Sequence, residues 1–325
     1  MNVLVIGGAG YIGSHIVYEL IDNGHSVTVL DNLSTGLKEN VCPGADLVIG
    51  DMQDLTLVQN LLSGKKNRKF DSVFHFAALK AAGESMTEPK KYTHNNTIAT
   101  LNLLNVLLEN DIKNFVFSSS AATYGSPEYL PIDESHPNKP INYYGYTKLA
   151  IEQTLAWYSQ LKGLRYAALR YFNAAGYDIE GRIRGKEQNP ANLLPIVMEV
   201  AAGDRNTMQI YGKNYPTRDG TCIRDYIHVK DLATAHVKAM EFLRDKNEDL
   251  VLNLATGQGF TVLEVIKEVE KVVGFPINYE ITSRREGDPA ELVAASSLAR
   301  EKIDWKAQYS DLNTLVKSMW KIYRT

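Results

Sequence analysis

Two cysteines in 325 residues, Cys42 and Cys222, are too few and too far apart for a disulfide framework or a zinc ligand set, which points to a reducing compartment. No stretch approaches the roughly 18 consecutive apolar residues of a membrane-spanning helix. Positive charge is not in excess either. The formal net charge of −3 argues against a broad basic surface for nucleic acid, though a few arginines around a phosphate remain compatible with it. The seven histidines are scattered, so no metal site is expected, and a lone His75 within an apolar run reads as core. There is no repeat period and no low-complexity linker. The opening "MNVLVIGG" has neither the charged nor the apolar region of a secretory signal. The expectation is a soluble cytoplasmic protein with neither nucleic-acid nor membrane partners.

What is present is the texture of an α/β protein. The hydrophobic share of 44% is ordinary for a globular chain, and the length allows a large core or two lobes. "NVLVIG", "SVTVLD", "DLVIGD", "SVFHFA", "NFVFSSS" and "RYAALRYFN" read as buried strands, separated by helical stretches such as "NTIATLNLLNVLLEN". Near-continuously apolar strands alternating with helices predict a Rossmann-type, doubly wound parallel sheet. After residue 172 the texture changes to a polar, irregular segment. The expected division is a dinucleotide-binding domain over 1–172 and a smaller α/β substrate domain over 173–325. Later segments near 223–257, again strand-like and helix-like, are expected to return to the first domain.

"VLVIGGAGYIGSH" places Gly7, Gly10 and Gly13 after a strand and at the opening of a helix. Glycines there permit a tight turn, close backbone approach to a pyrophosphate and close helix–strand packing, with the phosphates on the positive helix end. A simple tight loop is the bland alternative. Asp31 ends the second strand about 20 residues downstream, where a carboxylate that binds an adenosine ribose is expected. It would accept from the 2′-hydroxyl and repel a 2′-phosphate, favouring NAD over NADP. Aspartate also commonly caps a turn.

"YYGYTK" sets three tyrosines beside a lysine. Tyr144 and Lys148 stand at i and i+4, on one helix face. Tyr143 and Tyr146 lie about 140° and about 160° around the helix from Lys148. A phenol with a pKa of about 10 must drop about three units to act as a base near neutrality, or about 4 kcal/mol. One cation about 4 Å away supplies that much at an effective dielectric near 20. Ser118, Ser119 and Ser120 end the apolar strand "FVFSSS", and ligands sit at the carboxyl ends of such strands. A hydroxyl there can relay a substrate proton.

With these elements assembled, the chain resembles the extended short-chain dehydrogenase/reductase superfamily and, within it, the UDP-glucose 4-epimerase family. The likeness runs nearly end to end through "GGAGYIGSH", "LDNLSTG", "HFAALKAAGES", "NNT", "FSSSAATYG", "YYGYTK", "LRYFNAAG", "NLLP", "DGTCIRDYIHVKDLA" and "RREGDPA". It implies Tyr144 as the base, Lys148 as its electrostatic partner, which also holds the nicotinamide ribose, and Ser120 as the third catalytic hydroxyl. For NAD it implies contacts from the glycine loop with Tyr11 and Ile12, from Asp31 and Asn32, and from Asp51 and Met52 beside the adenine. Phe76, Ala77, Lys80, Asn95 and Tyr171 match further positions that line the cofactor. For the UDP half of a substrate it implies Asn173, Asn192, Leu193, Arg224, Arg285 and Asp288, with Tyr211 against the uracil.

The implied reaction is reversible oxidation at C4 of a UDP-hexose in a homodimeric enzyme of galactose metabolism. Sugar 4,6-dehydratases of the superfamily carry an Asp–Glu pair after the catalytic hydroxyl, where this chain has Ala121 and Ala122. A uronate epimerase or decarboxylase is the nearer alternative, and a non-catalytic NAD-binding regulator the remoter one. Two departures bear on the sugar. Ala122 stands where the closest pattern often has threonine. Leu292 stands at a gate where tyrosine narrows the pocket to glucose and galactose, so activity on UDP-GlcNAc and UDP-GalNAc is expected as well.

Overall fold

The computed structural model describes residues 1–63, 69–188, 190–285 and 287–324. The chain divides into two compact units. One comprises Met1–Gly125, Asn138–Arg170 and Ala233–Leu252, and the other Ser126–Pro137, Tyr171–Leu232 and Asn253–Thr325. The segment Ser126–Pro137 departs from the first unit well before residue 172, and no composition shift in the sequence marks it.

The strands in chain order are β1 (Asn2–Ile6), β2 (Ser26–Asp31), β3 (Asp46–Ile49), β4 (Ser72–His75), β5 (Asn114–Ser118), β6 (Arg165–Tyr171) and β7 (Asn173–Ala175). They continue as β8 (Met208–Tyr211), β9 (Ile223–His228), β10 (Leu250–Leu254), β11 (Gly259–Thr261), β12 (Tyr279–Thr282) and β13 (Glu291–Leu292). The first unit is built on a seven-stranded sheet of order β10-β6-β5-β4-β1-β2-β3, parallel from β3 to β6. All six strands expected from the sequence are present. The order reverses between β1 and β4, which makes their carboxyl ends the topological switch point where such sheets bind ligands.

Successive residues of these strands face opposite sides. Leu4 and Ile6 of β1 join Phe115 and Phe117 of β5 in a core against helices Ala99–Glu109 and Tyr143–Lys162, through Leu103, Leu107, Ile151 and Leu155. On the other face Phe74 meets the ring of His236, on helix Val229–Lys246, at 6.4 Å. A buried side chain of this size contributes about 1.5–3 kcal/mol by leaving water, so covering both faces is what makes the flat apolar strands stable. Asn142 starts the helix Tyr143–Lys162 by accepting from the Gly145 amide at 2.8 Å, and Gly163 ends it in the left-handed conformation.

In the second unit β9 is flanked by antiparallel β11 and parallel β13, with β7 pairing its far end in parallel, while β8 and β12 form a separate parallel pair. The helix Leu193–Ala202 opens at Asn192, which makes no side-chain cap.

Candidate active site

The glycine loop forms at the end of β1. Gly7 adopts φ 80°, and a Cβ on it would lie 2.6 Å from the backbone nitrogen of Ala77, just beyond β4. A Cβ on Gly13 would overlap the carbonyl oxygen of Gly7, so the helix Tyr11–Asp22 can lie on the loop only with glycine there. Gly10 caps that helix without a side chain, leaving its first-turn amides unclaimed by a capping group. Tyr11 and Ile12 in that turn are half-buried.

Asp31 is buried at the end of β2, where its carboxylate accepts from the Ala9 and Leu33 amides, each at 2.9 Å. It therefore caps its own turn and braces the glycine loop, and its remaining lone pairs can still take a ribose hydroxyl. Asn32 donates to Asp51 at 2.8 Å, with Met52 buried beside it. Phe76 and Ala77 follow β4 half-buried, Lys80 is exposed, and Asn95 sits in a π-helical turn over Thr93–Ile98. A Cβ-free cradle, a helix N-terminus without a side-chain cap and an adjacent carboxylate together fit a dinucleotide.

The reactive cluster lies at the end of β5. Lys148 is 3% exposed, and its ammonium donates to the Ser118 carbonyl at 2.8 Å. It stands 4.7 Å from the Phe117 ring centre and 5.8 Å from that of Tyr144. The Ser120 hydroxyl acts on the Tyr144 phenol, favouring its ionised form, and accepts from the Ala122 amide at 3.1 Å. Tyr143 instead shares a hydrogen bond of 2.6 Å with Thr93, and Tyr146 is exposed. A Cβ on Gly145 would meet the Ala122 carbonyl carbon at 2.9 Å, so this glycine lets the helix lie directly on the serine turn.

The electrostatics differ from the simple expectation that Lys148 lowers the phenol. In the chain alone, burial pushes the Tyr144 phenol up, opposed by the Ser120 hydroxyl. Burial pushes Lys148 down to about 7, opposed by the Glu152 carboxylate. Desolvation is the largest influence on both members of the pair.

Several supporting residues escape the motif-based reading. Asn96, 1% exposed, accepts from the Leu79 amide, donates to the Leu79 carbonyl and reaches Thr147, tying the loop after β4 to the tyrosine helix. Ser85 accepts from the Tyr144 amide at 3.0 Å. Glu152 takes a hydrogen bond from Ser119 and a two-armed ion pair from Arg170, with side chains 6% and 5% exposed. An arginine within the apolar run "RYAALRYFN" was the available signal for the last of these.

In the second unit Arg224 pairs with Asp288 and donates to the Ile223 carbonyl at 2.7 Å. Leu292 lies directly beside Arg224 in the β13–β9 register. Asn173, in β7, donates to the Asp225 carbonyl at 2.9 Å. The exposed Arg285 guanidinium stacks 3.7 Å above the Tyr211 ring. Tyr171 is buried, while Asn192 and Leu193 stand at the opening of their helix. Among the described residues no cluster of three or more His, Cys, Asp or Glu is arranged to hold a metal.

Residues 3–255 match the model of the NAD dependent epimerase/dehydratase family. The UDP-glucose 4-epimerase of Halalkalibacterium halodurans is 47% identical over all of this chain and 96% of its own length. The crystal structure of UDP-glucose 4-epimerase from Brucella ovis in complex with NAD matches with TM-score 0.96 and 43% identity, over 99% of this chain and 98% of that one. The UDP-Glc/GlcNAc 4-epimerase of Campylobacter jejuni matches with TM-score 0.86 and 39% identity, over 99% and 98%. Spanning both units, these likenesses join the glycine cradle and the Tyr–Lys helix in one conclusion: the chain belongs to the NAD-dependent epimerase/dehydratase family.

Proposed function

We propose that the chain is a UDP-hexose 4-epimerase that interconverts UDP-glucose and UDP-galactose through a 4-keto sugar, with NAD as its resident cofactor. The observation that carries the reading is the convergence of Tyr144, Lys148 and Ser120 at the carboxyl end of β5, with alanine at 121 and 122. Elimination of water from the sugar needs an acid after the catalytic hydroxyl, and two methyl groups cannot supply one.

In this reading Tyr144, as the phenolate, accepts the proton of the C4 hydroxyl, and Ser120 orients or relays it. NAD, when bound, would supply reversible hydride transfer at C4 and positive charge near the phenol. Lys148 stabilises the phenolate and holds the nicotinamide ribose. The glycine loop and first-turn amides hold the pyrophosphate, with Asp31 on the adenosine ribose and Asp51 and Met52 beside the adenine. Phe76, Ala77, Lys80, Asn95 and Tyr171 line the remainder.

Arg224 and Arg285 suit a diphosphate because planar guanidiniums bind its oxygens in pairs. Asn173, Asn192, Leu193 and Asp288 complete the UDP contacts, with Tyr211 against the uracil. Firm hold on UDP leaves the sugar free to turn over as the ketone. Leucine at 292, lacking the bulk and hydroxyl of tyrosine, supports turnover of UDP-GlcNAc and UDP-GalNAc as well, and the name of the Campylobacter jejuni relative includes GlcNAc.

A second copy of the chain is the proposed partner. Trp157 and Leu161, one turn apart on the tyrosine helix, are 61% and 68% exposed, an apolar pair that association would cover. Trp157→Glu with Leu161→Glu should then yield a monomer by light scattering. The two free, buried cysteines accord with a cytoplasmic location.

The test is incubation of the purified protein with four UDP-hexoses (Glc, Gal, GlcNAc, GalNAc) without added NAD, followed by product separation. Conversion within both pairs is expected, and failure to convert either UDP-glucose or UDP-galactose rejects the reading. Tyr144→Phe should retain NAD and lose about a thousandfold in rate, the scale of one general base. Equal losses from Tyr143→Phe or Tyr146→Phe would reject the assignment of the base.

A further inference from the structure

Three consecutive serines meet three successive turns of one helix face. Ser120 acts on the Tyr144 phenol, the Ser118 carbonyl accepts from Lys148 at 2.8 Å, and the Ser119 hydroxyl donates to Glu152. Residues 144, 148 and 152 repeat at i, i+4 and i+8, so they form one row along the helix. The first two rungs belong to the proposed chemistry. The third does not touch a reacting atom, yet it is the most strongly anchored. Arg170, on β6, which pairs with β5, donates to Glu152 through Nε at 2.9 Å and Nη2 at 2.5 Å. The Arg170 guanidinium also lies 4.8 Å from the Tyr124 ring centre, just past the serine turn.

A buried ion pair of this kind seldom adds net stability, because desolvating two charges offsets their attraction. Its place between β5, β6 and the tyrosine helix indicates a use in the chemistry. Building on the epimerase reading above, we propose that Glu152, held by Arg170, is a positioning residue for the catalytic pair. It locks the serine strand in register with Tyr144 and Lys148, and its carboxylate keeps the proton on Lys148.

The charged and titratable groups facing Lys148 are few. Glu152 and Tyr144 share its helix, and Arg170 lies behind Glu152 on β6. His75 on β4 is held neutral, pushed down to about 3 by burial and by the Lys148 charge, so it does not change state in an ordinary assay. Of these, Glu152 is the one that favours the ammonium form of Lys148. Without it the lysine loses its proton at lower pH, and the phenolate of Tyr144 loses its counter-charge.

The experiment is Glu152→Gln, with the double variant Glu152→Gln/Arg170→Met as a control that leaves no unpaired buried charge. The pH–rate profile for UDP-galactose should keep its acid side and lose its alkaline side about one pH unit earlier, so that activity near pH 8.5 falls about tenfold relative to that near pH 5. The same shift is expected in the double variant. Independently of turnover, the side-chain carbon resonance of Lys148 in lysine-labelled protein, assigned by its loss in Lys148→Met, should titrate about one unit lower in both variants. Profiles and titrations that superimpose on the parent, with only a uniform drop in rate, would overturn the proposal and leave the pair a structural brace. If the parent chain converts no UDP-hexose, the epimerase reading fails, while the lysine titration still decides whether Glu152 holds the proton.

Discussion

Lys148 should lower the stability of the fold, and replacing it with methionine measures by how much. The ammonium is 3% exposed, and burial brings its pKa down to about 7 from 10.5. Between those values the unfolded chain holds a proton that the folded chain lacks, so stability rises with pH through that window. Below pH 7 the full cost of charging the buried amine applies, about 5 kcal/mol at 1.36 kcal/mol per pKa unit. Methionine has similar length and carries no such cost. It does remove the hydrogen bond from Lys148 to the Ser118 carbonyl, which costs about 1–3 kcal/mol. Lys148→Met should therefore be more stable than the parent by about 2–4 kcal/mol at pH 6, and should lose that advantage by about pH 10.5, where only the missing hydrogen bond remains. The assay is thermal melting of the nucleotide-free chain at pH 6, 8 and 10, because bound NAD would add its own linkage. A melting-temperature gain on the order of 3–6 °C at pH 6 is expected, fading with pH. A difference that does not change with pH, or a less stable variant at pH 6, would refute the reasoning.

Three further outcomes follow from the geometry. Gly13→Ala puts a Cβ onto the Gly7 carbonyl, so the purified protein should carry little NAD, read from the nucleotide released on denaturation. Leu292→Tyr should suppress conversion of the acetamido sugars while sparing UDP-galactose; equal suppression of both would mean that position 292 does not face the 2-substituent. Gly145→Ala presses the helix against Ala122 and should cost about 1–3 kcal/mol of strain, seen as a lower kcat with NAD content unchanged.

The glycine loop, Asp31 and the Tyr144–Lys148 pair were legible in the sequence because each obeys a local rule. Glycine marks left-handed turns and close approaches, and i, i+4 spacing marks a helix face. The apolar strands were legible for the same reason, since a strand buried on both faces cannot hide its composition. Even so, Asp31 was read as a ribose ligand or a turn cap, and its carboxylate in fact holds the amides of Ala9 and Leu33, bracing loop and turn together. The proposed UDP contacts rest on resemblance, since neither Arg224 and Asp288 nor Arg285 and Tyr211 are neighbours in sequence.

By itself, then, the sequence determined the order of strands and helices, the glycine loop and which tyrosine shares a face with the lysine, all of which depend on residues close along the chain. The tertiary structure alone decided the rest. Packing β6 beside β5 delivers Arg170 to Glu152, and the loop after β4 delivers Leu79 to Asn96. Burying Tyr144 and Lys148 together shifts both away from their charged forms, because desolvation is set by whatever surrounds a group and not by its neighbours in the chain.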